Sequence, residues 1–263
     1  MKRNLFFAYT LLVILNVFAQ TDTDATTNLV DTQKEVVKAD GDSAFMKNDY
    51  AAAVQIYEAL LVKGEVAEVY YNLGNSYFKA GNLGKAIVNY ERALLLKPGN
   101  GDMRTNLEIA RSRTIDRIDV IPDVFFVSWI KEIRNSMGVD AWGRWGIVFF
   151  ILGIVSFYCF MYSGKTVFRK MGVLSIIPFL VLTILANVFA SQQKSLFLNR
   201  NKAIVVSPSV TVRSTPSDSG TSLFVLHEGS KVIIHDDAMK GWKEIRLEDG
   251  KVGWISASDI EVI

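Results

Sequence analysis

The side chains able to do chemistry in this chain are few and scattered. His227 and His235 are its only imidazoles and Cys159 its only thiol. The histidines fall in an expected turn and at an expected strand end, with no Cys, Glu or second His at a metal-ligand spacing. Both read as ordinary surface residues, and no metal is expected. Cys159 sits inside an uncharged apolar run, which leaves it neither a disulfide partner nor contact with water. The serines near Gly220 and Gly229 have no evident base. Asp236-Asp237 and Glu248-Asp249 are adjacent pairs whose side chains diverge, which suits a solvated rim better than acid-base work. No GxSxG elbow, GxxxxGKS/T phosphate loop or HExxH helix occurs. The inventory supplies no catalytic residue and calls for no cofactor; the expectation is a binding protein, not an enzyme.

The spacing best suited to binding lies in residues 67–100, AEVYYNLGNSYFKAGNLGKAIVNYERALLLKPGN. Tyr70, Leu73, Gly74 and Tyr77 fall on one face of a first helix, and Ala86, Tyr90 and Ala93 on one face of a second. Large side chains therefore meet small ones. Gly74 and Ala86 permit close backbone approach, Gly81-Asn82 turns the chain, and Pro98 ends the second helix because it has no N–H to donate. The stretch resembles the tetratricopeptide repeat (TPR) family along its whole length, with Tyr70 where the family usually carries Trp.

That resemblance implies a ligand-facing side made by Glu68, Tyr71, Asn72, Asn75, Phe78 and Lys79. The asparagines suit a peptide backbone, Lys79 a carboxylate, and Tyr71 and Phe78 apolar side chains. Lys38, Asp42, Phe45 and Met46 are the matching positions upstream. The alternative is that much of this side packs against a following helix.

One helical hairpin cannot bury its own apolar face, so its neighbours must supply more helix. Upstream, Gly41, Ala53 and Tyr57 repeat the pattern of Gly74, Ala86 and Tyr90, with the turn at 47–50; this is a degenerate first repeat, one residue short of the usual length. Downstream, 106–110 continues as half of a third repeat or as a polar capping helix, the latter preferred. The repeats are expected over 33–115.

The chain has 263 residues, 29 Lys+Arg against 27 Asp+Glu, and is 50% apolar. It lacks the basic footprint of a nucleic-acid binder. The apolar excess is local, at the N-terminus and in a block near 142–190, the pattern of a membrane protein with water-facing parts. Residues 1–19 read as a signal peptide: Lys2 and Arg3, an apolar run, then Val17 and Ala19 at small-residue positions. An uncleaved anchor is the alternative. Residues 20–32 form a polar leader, and no Cys follows the run to carry a lipid.

Residues 141–162 and 171–190 are uncharged enough and long enough to span a bilayer, joined by 163–170. Lys165, Arg169 and Lys170 make that connection basic, which puts it in the cytoplasm and both flanking regions in the periplasm, a two-pass inner-membrane arrangement. Trp142, Trp145 and Tyr162 suit the interfacial belts. No charged residue lies within 145–162 or 171–190, so the hairpin reads as an anchor. Before it, 122–140 spaces Phe125, Phe126, Trp129, Ile130, Ile133 and Met137 as one apolar helix face, either on a membrane surface or packed under the repeats.

From residue 202 to 263 the texture changes to six short β-branched runs separated by turn residues, the mark of a small barrel. The order VTVRSTPS, LFVLHEGSKVII, GWKEIRLEDGKVGWI resembles the bacterial SH3-like domain. Trp242 and Trp254 belong either to its core or to a ligand groove. Arg213 reads as a packed structural residue.

The fold class expected is therefore multidomain α plus β: helical TPR repeats, a two-helix transmembrane hairpin and an all-β SH3-like domain. That order of modules resembles the Bat (Bacteroides aerotolerance) family, in particular its E-type members. The resemblance implies a non-catalytic scaffold in an envelope complex linked to stress tolerance, with membrane or periplasmic partners that include von Willebrand factor A-type Bat proteins. The alternative is a cell-wall-binding or signalling module in which the SH3-like domain recognises a wall or peptide ligand.

Overall fold

The computed structural model describes residues 38–117 and 124–263; the expected signal peptide and leader, and the first residues of the expected repeats and of the 122–140 helix, lie outside the described residues. The described chain falls into two compact units, one formed by 137–195 and the other by the residues up to 136 together with 196–263.

The repeats begin with α1, helical over 38–46, followed by α2 (Tyr50–Leu61), α3 (Ala67–Lys79), α4 (Leu83–Leu96) and α5 (Gly101–Arg111). Short polar side chains start three of them. Asp49 accepts from the Ala52 N–H, Asn82 from Lys85 and Asn100 from Met103, each filling a backbone donor that the helix itself leaves unpaired. The α1–α2 and α3–α4 turns use a left-handed residue at the same place, Asn48 (φ 61°) and Gly81 (φ 84°).

Side-chain size sets the spacing within each pair. A Cβ on Gly41 would stand 2.6 Å from the Tyr57 ring, and one on Gly74 would stand 2.7 Å from the Tyr90 ring. The first repeat thus copies the second in packing as well as in pattern. Tyr57, Val69, Ile87, Val88 and Tyr90 are fully buried in the resulting core. Helix α5 completes it by burying Met103, Leu107 and Ala110. A last helix, α6 (Phe125–Arg134), follows.

The other unit is a helical hairpin. Helices α7 (Val139–Tyr162, 24 residues, mean hydropathy 2.0) and α8 (Thr166–Leu198, 33 residues, mean hydropathy 2.4) are both long and apolar enough to cross a membrane. Small groups mark their contact. The Ser175 hydroxyl lies 3.0 Å from that of Ser156, and a Cβ on Gly172 would stand 2.7 Å from the Ser156 carbonyl oxygen. Trp142 packs edge-on against Phe189. The connection is shorter than the sequence suggests, because nothing in Thr166 to Lys170 breaks a helix and α8 begins at Thr166.

The C-terminal domain is a single antiparallel sheet of β1 (Lys202–Val205), β2 (Ser209–Arg213), β3 (Ser222–His227), β4 (Lys231–Asp236), β5 (Trp242–Arg246), β6 (Val252–Ser256) and β7 (Ile260–Val262). Strand order is β3-β2-β6-β5-β4-β1-β7. The seventh strand, absent from the six expected, has only three residues and pairs with β1, Ala203 opposite Val262. Aliphatic residues including Val205, Val212, Val232, Ile245 and Ile255 form the core. Gly253 lets β6 approach β2, since a Cβ there would lie 2.5 Å from a Val212 methyl.

Candidate functional site

The repeats present two sides, and the residues on each have different partners. One side is built from α1, α3 and α5. Asp42 Oδ1 accepts from the Tyr57 hydroxyl at 2.5 Å and from Asn72 Nδ2 at 2.9 Å, while Oδ2 accepts from Lys38 at 3.0 Å. One repeat further on, Asn75 Oδ1 accepts from the Tyr90 hydroxyl at 2.8 Å and from Asn106 Nδ2 at 2.9 Å. Asn106 Nδ2 also reaches the Tyr71 hydroxyl at 2.9 Å. Burial pushes the Tyr57 and Tyr90 phenols well above their ordinary range, so both stay protonated as donors.

The asparagines assigned to a peptide backbone thus also tie successive helices together. Asn75 is spoken for on its oxygen, and Tyr71 is half-buried under α5. Phe78 lies beneath the Arg113 guanidinium, 4.5 Å from ring centroid to carbon, and Glu68 pairs with Lys97. Lys79 is exposed. What stays open on this side is a cleft of about 250 Å3 shifted toward the first repeat, lined by Asp42, Phe45, Met46, Tyr57, Asn72 and Asn75. Met46, 82% exposed, forms its apolar lip. Of the six positions implied on the second repeat, the cleft contains Asn72 and Asn75 only.

The structural positions of the repeat lie inside. Tyr70, Leu73, Gly74, Tyr77, Ala86, Tyr90 and Ala93 are all buried, and Pro98 follows the α4 cap at Lys97.

The second side, formed mainly by α4, meets the C-terminal domain. Ile204 and Ile263 are buried in the same apolar cluster as Ile87, Val88, Ala86 and Leu107, with Val206 packed against it. Two glycines set the approach. A Cβ on Gly84 would stand 2.9 Å from the Val205 carbonyl oxygen, and Gly229 (φ 88°) faces Ile87 and Thr114 so closely that its Cβ would lie 2.5 Å from a Thr114 methyl.

A polar rim surrounds this contact. Arg92 donates to Glu261 at 2.7 Å and to the Val262 carbonyl. Lys231 donates to Glu91 at 2.8 Å, and Arg111 pairs with the same carboxylate. Arg200 grips both Glu65 oxygens, at 2.8 and 2.6 Å. The Gly84 N–H donates to Glu228 at 3.2 Å, filling a donor in the first turn of α4.

Asp116 closes the rim. Its carboxylate accepts from the His227 N–H at 2.6 Å, from His227 Nδ1 at 2.8 Å and from the Ser230 hydroxyl. His227 is therefore a half-buried connector and not the ordinary surface residue its turn-like sequence suggested; His235 is exposed. Ser230 directs its proton to Asp116 and not to the imidazole, so the three groups form a latch without the serine-to-base hydrogen bond that nucleophilic attack requires. Burial raises the Asp116 carboxyl, but the bonds from Ser230 and His227 outweigh it and hold it below its ordinary value. Glu91 is likewise raised by burial and more strongly lowered by Lys231 and Arg111, and Arg200 lowers Glu65.

Trp242 and Trp254 are half-buried and lie outside the aliphatic core cluster, on paired strands where Trp242 sits opposite Ser256 and Trp254 opposite Glu244. Trp254 is also opposite Arg213, whose guanidinium donates to the Gly220 carbonyl at 2.9 Å and pins the β2–β3 loop. Among the described residues no group of three or more His, Cys, Asp or Glu side chains is placed to hold a metal ion.

Comparison with known proteins agrees with these two modules. Residues 67–100 match the tetratricopeptide repeat model, and residues 208–261 match the bacterial SH3 domain model. Among curated proteins, none matches this chain. Solved structures similar to this chain include two TPR proteins. The Sgt2 TPR domain from Aspergillus fumigatus is 16% identical over 56% of this chain and 78% of its own, with a TM-score of 0.29. A TPR repeats protein from Bacteroides fragilis NCTC 9343 is 13% identical over 62% of this chain and 98% of its own, with a TM-score of 0.22. At such scores neither says anything about function. The chain carries a TPR repeat and a bacterial SH3-type domain, and both point to protein or peptide interaction in general.

Proposed function

We propose that this protein is a non-catalytic, membrane-anchored adaptor whose repeats hold a partner through the α1/α3/α5 side. The observation that carries this reading is the division of labour between the two sides. The α4 side is largely covered by the chain's own C-terminal domain, apart from a pocket of about 260 Å3 lined in part by Glu58, Tyr77, Arg92 and Glu261, whereas the Asp42–Phe45–Met46 cleft is lined by repeat residues alone. The cleft joins an apolar lip to a carboxylate and an amide, which suits a short peptide segment that inserts one apolar side chain and donates backbone N–H groups.

Helices α7 and α8 serve as the anchor, with both flanking regions in the periplasm and the connection at 163–165 in the cytoplasm. Contact between the repeats and the C-terminal domain favours an even number of crossings between them, since an odd number would separate Ile87 from Ile204 by a bilayer. The order of modules supports the further reading of a Bat-type envelope complex, in which von Willebrand factor A-type membrane proteins are the partners. The half-exposed Trp242 and Trp254 favour a second contact, with cell wall or peptide, on the sheet of the C-terminal domain.

Crosslinking and affinity capture of the full chain test the first reading. Wild type is expected to recover a defined membrane partner, and Phe45→Asp with Met46→Asp to lose it while the protein stays folded. Equal recovery by both would place the partner elsewhere. Reporters inserted at Thr166 and in the exposed turn at Lys240 test the topology; signals from the same compartment would refute it.

A further inference from the structure

Helix α6 stands out because nothing in the described structure covers its apolar side. It has no buried residue, and Phe125, Phe126, Trp129 and Ile130 are all exposed, Phe125 at 83% and Trp129 at 62%. Packing of these four side chains beneath the repeats, one of the two arrangements the sequence allowed, is not seen among the described residues. At 100° per residue, Phe125, Phe126, Trp129, Ile130 and Ile133 fall within an arc of roughly 140°. Ser128, Lys131, Glu132 and Asn135 occupy the opposite arc. A free helix of this length is marginal in water, so the apolar arc needs a cover.

The chain itself indicates which cover. Residues 135–138 separate the end of α6 from the start of α7. Four residues reach at most about 14 Å even when fully extended. The interfacial zone of a bilayer adds roughly 5–8 Å on each side of its hydrocarbon core. A spanning α7 thus keeps the last turn of α6 within reach of the lipid surface. The side chains match that environment, with aromatic rings on the apolar arc and Lys131 and Arg134 in the last turn.

We infer that α6 lies in the membrane interface with Phe125, Phe126, Trp129 and Ile130 at the boundary of headgroups and acyl chains. It acts as a lipid-bound strut between the repeats and the first span. The inference rests on the reading of α7 and α8 as membrane spans.

Site-directed spin labels on the full chain in phospholipid vesicles test it, in a Cys159→Ser background with Trp129→Cys, Ser128→Cys or Ile154→Cys. Accessibility to oxygen, which partitions into lipid, is compared with accessibility to a water-soluble nickel chelate. The expected result is a deep label at 154, a label at 129 with an oxygen-to-nickel ratio several-fold above that at 128, and an aqueous label at 128. A deep 154 with 129 as aqueous as 128 would overturn the interfacial helix and leave the spans intact. A label at 129 immobilised and shielded from both reagents would show a protein cover and overturn it as well. An aqueous label at 154 would remove the spanning reading, and the inference with it.

Discussion

The two sides of the helical repeats bury their surroundings differently. On the α4 side, Ile87 and Val88 are fully buried, and the C-terminal domain contributes Ile204 and Ile263 to the same cluster. On the α1/α3/α5 side, polar side chains bridge the helices and Met46 stays exposed beside a cleft. A repeat array of this length has few stacking neighbours to cover its ends and edges. Here the SH3-type domain supplies the missing cover, so part of its surface is structural and is not offered to a ligand.

The contrast can be broken most severely at Ile204. Ile204→Ala removes a fully buried side chain from the shared cluster and should cost about 2–5 kcal/mol. In urea titrations of the full chain, repeats and C-terminal domain are expected to lose stability together. Loss confined to the C-terminal domain would show that the cluster is not shared. Gly84→Val tests the close approach itself. Its side chain would meet the Val205 carbonyl, with an expected loss of about 1–3 kcal/mol in the same titration.

Asp116→Ala is expected to cost a comparable 1–3 kcal/mol, roughly, by leaving the His227 N–H and the Ser230 hydroxyl without their acceptor. The carboxylates of Glu65, Glu91 and Asp116 all have lowered folded values. Their contribution is present in full above the ordinary carboxylate range and is lost as pH falls below about 4 through the folded values. Thermal melts should therefore show the wild type losing stability in acid, with Asp116→Asn losing less over the same interval. A parallel pH dependence in the two proteins would remove Asp116 from the latch. The smallest effect belongs to the open side. Met46→Asp should change stability by no more than about 0.5 kcal/mol, as an exposed position, while weakening partner capture.

Much of this architecture is legible in the residues. Gly74 with Tyr90, and Gly41 with Tyr57, announce helix pairs because only a glycine lets the ring lie against the opposite backbone, and the turns at Asn48 and Gly81 follow from the same period. The β-branched runs after residue 202 announce strands for an equally local reason. The junction is different. Ile87, Val88 and Ile204 look like ordinary inward positions of a helix and a strand, Ile263 follows β7, and no periodicity links positions more than a hundred residues apart. Asp116 sits outside any regular element and carries no motif. Of the binding side, the residue types were readable but not their commitments, since the pairing of Asn75 with Asn106 depends on where α5 docks. Strand β7 leaves no mark in the sequence because three residues are too few to show alternation.

The shared cluster also has a consequence in time. Ile87 emerges during synthesis long before Ile204 and Ile263, and both membrane-length helices are made in between. Contacts this remote in sequence form late, because the intervening chain must be closed first. Until then the α4 side of the repeats is an uncovered apolar surface. The growing protein must keep that surface from other chains until its own last strand arrives.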